Sequence, residues 1–348
     1  MRRHTRPWLA ETPPLKRHAM HVGCSLASER WEEPLESSSS DRQGGITMRA
    51  LSLSCPVGEA IDTCPHLKMP RKRPQTQTSS INDLPPCAGP KLHRFQHHRS
   101  PIQWMERLDD DRGDGAGAEG YVFRAIIRKK QYAIKVFKFY DPWSSEYYWG
   151  PLLGEDAPLE TAAYYTDPFF AECRAYGRIE GATRRGKLKG VAVPCHGYMF
   201  LKKADERILN DRGVDLGLDD VDIDFQQTVE GGCRPRAIIK DYVPGDPGVN
   251  KKSVRKILKG IRDLNNLKIY NKDIRIDNFR NGLLVDFGSS WTEPHALMDA
   301  LGAQDSGDHR AADLALFDEM IEDEEIETKV RGLPNPEYCS KLRSWDDD

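Results

Sequence analysis

Between Asn271 and Gly288 the chain has little freedom in what it can fold into. Asn281-Gly282 is the strongest short hairpin signal, because a two-residue primed turn needs positive φ at both central positions. Strands ending at Phe279 and restarting at Leu283 then fold back and bring Asn278 near Asp286. Two oxygen ligands facing one gap suit Mg²⁺, which takes a few carboxylate or amide oxygens and fills its shell with phosphate and water. Asp273, five residues before Asn278, is placed to accept a proton from a hydroxyl. A solvated hairpin whose polar residues only cap turns would explain any one of the three. Three at these spacings, closed by Asp286-Phe287-Gly288, favour a phosphoryl-transfer site.

The stretch upstream supplies matching parts. Ile102 to Leu108 reads as a first strand, followed by a glycine-rich acidic turn containing Gly115, Gly117 and Gly120, with Val122 completing G-x-G-x-x-G-x-V. A lone glycine triad is weak evidence, but strands are expected on both sides of it (Tyr121 to Ile127, then Gln131 to Phe139), which suits a phosphate-covering hairpin loop. Lys135 lies in Ala-Ile-Lys-Val among apolar neighbours, a costly place for a charge without a partner. A phosphate and a carboxylate would be such partners; the alternative is an edge lysine reaching water. Residues 141–166, rich in Trp and Tyr, read as an irregular insertion. Asp167-Pro168 then opens a helix with an N-cap acid and a proline in the first turn. Phe169, Cys173, Tyr176 and Ile179 form its apolar stripe, and Glu172 beside it is the expected partner of Lys135.

Strands are expected at Val191 to Leu201 and Ala237 to Val243, the second ending at Pro244-Gly245, a hinge between lobes. Ser253 is the expected cap of a helix whose Val254, Ile257, Leu258, Ile261 and Leu264 follow the i, i+3, i+4, i+7 rule. A last helix is expected at Arg310 to Ile321, before an acidic tail.

Residues 1–84 show no sustained period and carry Pro-Pro, Ser-run and Gln-Thr repeats, so they are expected to stay disordered. Lys68, Arg71, Lys72 and Arg73 read as an import signal, a nucleic-acid contact or a solvated cluster. His18, His21 and Cys24, like Cys64 and His66, lack a second pair at finger spacing. A formal net charge of −3 predicts no nucleic-acid or membrane field from the molecule as a whole. No apolar run approaches a membrane span. Eight scattered cysteines fit a reducing compartment.

The order Gly115/Gly117/Gly120, Lys135, Glu172, Asp241 to Val243, Asp273, Asn278, Asp286-Phe-Gly resembles that of the protein kinases over residues 102–321. The resemblance implies an α+β, protein-kinase-like two-lobed fold: a small β-rich N-lobe (about 100–243) and a reduced helical C-lobe (about 244–345), within a domain spanning 85–345. By it, ATP and Mg²⁺ are the cofactors, and Gly115, Gly117, Gly120, Val122, Lys135, Glu172, Asp241 and Val243 belong to the nucleotide site. Asn278 and Asp286 would hold the metal, with Asp273 and Arg275 catalytic and Asp313 the buried acid beneath the catalytic loop. The sequence also departs from that family. Asn271-Lys272 replaces His-Arg, no Ala-Pro-Glu follows, and little chain remains after Ile321, so a reduced peptide-docking platform is expected.

A narrower resemblance covers nearly all of residues 84–345. Leu-Pro-Pro-Cys-Ala-Gly-Pro-Lys-Leu-His-Arg-Phe (84–95), Tyr-Ala-Ile-Lys-Val-Phe-Lys-Phe (132–139), Asp-Pro-Phe-Phe-Ala-Glu-Cys-Arg-Ala-Tyr-Gly-Arg (167–178) and Arg-Ala-Ile-Ile-Lys-Asp-Tyr (236–242) resemble the fungal Fta-two subunit of the Sim-four inner kinetochore complex. That resemblance implies a nuclear, kinetochore-bound assembly subunit. Its partners would be other kinetochore-complex proteins, with centromeric chromatin reached indirectly, no membrane, and no direct nucleic-acid site. The alternative class is an active atypical protein kinase.

Overall fold

The computed structural model describes residues 84, 89–109, 119–141, 150–154, 157–223, 226 and 234–334. The expectations for residues 1–83, for Gly115 and Gly117, and for the tail from 335 onward lie outside the described residues. The first half of the described chain is organised on five antiparallel strands: β1 (Gln103–Arg107), β2 (Gly120–Ile127), β3 (Lys130–Phe137), β4 (Cys195–Phe200) and β5 (Arg236–Asp241), ordered β1-β2-β3-β5-β4. The β2–β3 turn carries positive φ at Arg128 (50°) and Lys129 (66°), so the primed geometry forms here without Gly or Asn. Gly120 is required at the opening of β2, since a Cβ there would lie 2.2 Å from the Val136 carbonyl oxygen.

Strand period and pairing register divide the sheet into two faces. Val122, Lys135 and Ile238 share one row, and Phe123, Ile134 and Ile239 lie in the neighbouring row on the opposite face. The second face closes an apolar cluster with Phe95, Ala125, Val136, Met199 and Leu209. The first is covered by the helix over Pro168–Arg184, and β3 and β5 are buried on both sides. The outer edge of β4 is not left open: Phe95 N–H donates to Tyr198 O (2.8 Å) and Tyr198 N–H to His93 O (3.1 Å).

Seven helices are present among the described residues: α1 (Gly150–Leu153), α2 (Leu159–Thr166), α3 (Pro168–Arg184), α4 (Lys203–Asn210), α5 (Val254–Asn266), α6 (Ala296–Ala300) and α7 (Ala303–Asp323). The expected cap of α3 forms, with Asp167 Oδ1 accepting from Phe169 N–H at 2.9 Å. The α5 stripe is buried residue for residue as its spacing predicts. Phe279, Leu284 and Phe287 of the hairpin join α3, α5 and Phe317, Met320 and Ile321 of α7 in a second core.

Three expectations are corrected. Residues 159–166 are helical where an irregular insertion is expected; the buried Arg174 of α3 donates to the Tyr164 carbonyl (2.8 Å) and stacks on Tyr164 and Tyr165. That tertiary support has no signature in residue spacing. Ser253 stands at the N-cap position of α5, but its side chain makes no cap bond: its hydroxyl donates to Gly248 O (2.7 Å), and Asn250 Oδ1 takes the Lys252 N–H (3.0 Å). The strand expected over 191–201 is confined to Cys195–Phe200, and Val191 to Val193 instead pair with Leu284 of the hairpin.

The hairpin itself forms as its sequence dictates. Strands β6 (Ile269–Tyr270), β7 (Phe279–Arg280), β8 (Leu283–Leu284) and β9 (Trp291–Thr292) are two residues each, with Asn281 (φ 52°) and Gly282 (φ 72°) turning between β7 and β8. The linker from β5 is stitched to this turn: Asn281 N–H donates to Asp246 O (3.0 Å) and Gly282 N–H to Pro247 O (2.7 Å). Gly248 sits so close that a Cβ would lie 2.6 Å from the Gly282 nitrogen.

Candidate functional site

Lys135 is carried by the middle of the sheet, 3% exposed, with its ammonium aimed at α3. Glu172, fully buried on α3, meets it at 3.2 Å, which is the pairing expected from sequence. Asp286 Oδ1 lies 2.7 Å from the same nitrogen. Two further groups were not anticipated. Glu119, the residue before Gly120, swings its carboxylate onto Lys135 at 2.7 Å. Lys240 of β5 holds the other side of Glu172 and donates to Val285 O at 2.6 Å. Lys240 had the same sequence signal as Lys135, a lysine inside an apolar strand, whereas nothing in the spacing of the glycine loop singles out Glu119.

Glu119 fits only because Gly288 has no side chain: a Cβ there would stand 1.7 Å from the carboxylate oxygen. Ser289 Oγ donates to the other oxygen at 3.3 Å. Burial, together with the facing Asp286 charge, pushes Glu119 up to about 7, against the pull of Lys135. Burial acts on Asp286 in the same sense. There, however, Lys135 and Lys240, with the Gly288 N–H bond, overcome it and hold the carboxyl well below its usual range. Burial alone would discharge Lys135, but Asp286, Glu119 and Glu172 keep it protonated.

Below this cluster the loop from Asn271 to Asn278 is fixed by hydrogen bonds. Asp313 of α7, 1% exposed, accepts from Asn271 N–H (2.9 Å) and Lys272 N–H (2.7 Å). Asn271 is fully buried; its amide donates to Asp286 O (2.7 Å) and accepts from Asp273 N–H (3.0 Å). Asn271 therefore ties the loop to the Asp286 strand with one side chain. Lys272, at φ 63°, lays its ammonium 3.7 Å from the Trp291 ring centroid. Asn278 donates to Asp273 Oδ2 (2.7 Å), and Arg275 lies 3.1 Å from Asp273 Oδ1. Burial raises Asp273, with Arg275 and the Asn278 bond opposing. Val285 N–H donates to Asn278 O (2.9 Å), so Asn278 and Asp286 sit one step apart across the hairpin.

The remaining expected residues lie on the sheet and just beyond its last strand in sequence. Val122 is in register with Lys135, while Asp241 is engaged by His196 (2.7 Å) and Lys130 (2.9 Å) at the end of β5. Val243 follows it, half-buried. Among the described residues no three acids, histidines or cysteines converge to hold a metal by protein ligands alone. The donors present, one amide and one carboxylate beside a lysine that already binds an anion, fit a metal held jointly with phosphate oxygens.

Asp313 supplies a pH test of this scaffold. Burial pushes its carboxyl up to about 6 despite its two N–H donors. The native chain thus takes up a proton that the unfolded chain, near 3.8, does not, and stability should rise as pH falls through 6 toward 4. In urea titrations at several pH values, wild type should gain on Asp313→Asn by on the order of 1–3 kcal/mol across that window. A difference independent of pH would mean Asp313 titrates normally.

The family model describing the kinetochore Sim4 complex subunit FTA2 matches residues 80–291, well over half the chain. The comparison with curated proteins returned no match.

Proposed function

The chain belongs to the kinetochore Sim4 complex subunit FTA2 family, and from that premise we propose that it acts as an assembly component built on a protein-kinase-like, two-lobed fold. It is a nuclear kinetochore component of the Sim4 complex. Its partners are the other subunits of that complex, through which it meets centromeric chromatin. The observation that carries this reading is Glu119 lying on Lys135: the cation that phosphates would need is already matched by the chain's own carboxylate. The short run between Gly288 and α7, holding only a two-residue strand and a five-residue helix, supports it by leaving little surface for docking a peptide substrate.

Mg-ATP remains a ligand of the cleft in this reading. Lys135 would hold phosphate oxygens, Asn278 and Asp286 the metal, and Val122, Asp241 and Val243 would border the base. The metal would supply charge neutralisation at the phosphates. The chain's own contribution is to orient: Glu172 fixes Lys135, and Asn271 and Asp313 fix Asp273 and Asp286. One observation favours the second reading, an active atypical protein kinase: Asp273, half-buried and hydrogen-bonded to Asn278 beside Arg275, is held as a proton acceptor would be.

Complementation with the full-length Asp273→Asn chain separates the two. A variant that reaches the kinetochore and supports chromosome segregation is the expected result. A variant that assembles normally with its complex but fails in segregation would overturn the assembly reading in favour of catalysis.

A further inference from the structure

A second concave surface lies on the far side of α5 from the hairpin. Arg255, Lys259 and Arg262, at i, i+4 and i+7, form one wall of a cleft of about 440 Å³, and Lys329 and Arg331 stand on the other. The floor is apolar, made by the buried Leu258 and the half-buried Val330. The second wall is rigidly built. Asp318 of α7, 1% exposed, accepts from Gly332 N–H (2.6 Å) and Leu333 N–H (3.0 Å), and Gly332 is pressed on Leu314 O, where a Cβ would lie 2.4 Å away. Arg262 reaches across to Gly332 O at 3.1 Å and ties the two walls together.

Charge accumulates here against the balance of the whole chain, whose net charge is −3. Of the five cations, Lys259 is paired with Asp263, and the Arg331 guanidinium is turned to the Thr328 and Val330 carbonyls of its own segment. Glu327, at the cleft's edge, is engaged by Lys251 at 3.9 Å. Among the described residues, the side chains of Arg255 and Lys329 have no hydrogen bond or ion pair. Such crowding of like charge costs stability unless an anion joins it.

We propose that this cleft docks an acidic, extended segment of a partner protein, with carboxylates on Arg255, Lys259 and Lys329 and an apolar side chain on Leu258 and Val330. The concave shape and apolar floor choose a peptide over a duplex, whose phosphates lie on a convex cylinder and would meet the rim alone. The site is independent of the nucleotide cleft.

The test uses the full-length chain and a fluorescent octapeptide of alternating glutamates and leucines, with a lysine-for-glutamate peptide and a short DNA duplex as controls. Saturable, salt-weakened binding of the acidic peptide is expected, falling at least tenfold in the Arg255→Glu/Lys329→Glu variant with its urea midpoint unchanged. Equal binding by that variant would overturn the proposal, as would wild-type binding that prefers the DNA. An Asp346→Asn/Asp347→Asn/Asp348→Asn chain that binds the peptide tenfold more tightly would also overturn it, by making the chain's own tail the occupant.

Discussion

Replacing Glu172 by glutamine is expected to lower the unfolding free energy by about 3–5 kcal/mol, the range for removing one partner of a buried ion pair. Glu172 is fully buried and serves two ammonium groups, Lys135 from β3 and Lys240 from β5. The amide would leave both lysines beside a neutral group in a site closed to water. Lys135 retains both Asp286 and Glu119 at direct ion-pair distance, whereas Lys240 retains the Val285 carbonyl, the Tyr176 ring and the more distant Asp286 charge. The cost should therefore come mainly from Lys240. A Glu172→Gln/Lys240→Met double variant should recover much of the loss, because deleting both charges removes the desolvation penalty that deleting one exposes. Urea unfolding of the four members of this cycle measures the coupling directly. A Glu172→Gln variant within 1 kcal/mol of wild type would mean that water reaches the lysines and that the pair does not act as a buried one.

The second large effect concerns nucleotide. Glu119→Ala should tighten Mg-ATP binding by tenfold or more, about 1.4 kcal/mol or above. Any triphosphate on Lys135 has to displace the Glu119 carboxylate from Lys135 and Ser289, and a carboxylate left nearby repels it. Gly288→Ala reaches the same end by another route, since its Cβ would occupy the place of the Glu119 oxygen. Calorimetric titration of both variants, with Lys135→Met as the non-binding control, reads the effect without any assay of catalysis. Unchanged affinity in both would show that Glu119 and nucleotide do not compete. If no member of the series binds, Mg-ATP is not a ligand of this cleft, and the assembly role stands without it.

How much of this was legible in the sequence depended on whether a feature is local. The Asn281-Gly282 turn, the Asp167-Pro168 helix start and the α5 stripe depend on neighbouring residues, and each forms where its residues predict. Lys135 and Glu172 were matched across 37 positions because each was anomalous alone: a charge in a strand core, and an acid beside an apolar stripe. Helix α2 was missed because its support comes from Arg174 of the next helix. Ser253 takes the N-cap position its spacing predicts but leaves the side-chain bonding to Asn250, three residues earlier, which takes the turn's N–H groups. Glu119 was invisible for a different reason. Its role depends on what is missing at Gly288, 169 positions later, and a glycine gives no sign of which side chain will use its space.

The stitching of residues 244–248 to the Asn281-Gly282 turn has a mechanical consequence. A glycine- and proline-containing linker between a sheet and a helical layer is usually where relative motion is absorbed. Here its carbonyls are bonded to the turn that carries Asn278 and Asp286 on its two arms, and Val191 to Val193 grip Leu284 from the other side. Tilting the sheet would drag both arms with it. The linker thus behaves as a rigid crank, so that a partner pulling on β4 or β5 would alter the spacing around Asp286 without touching it.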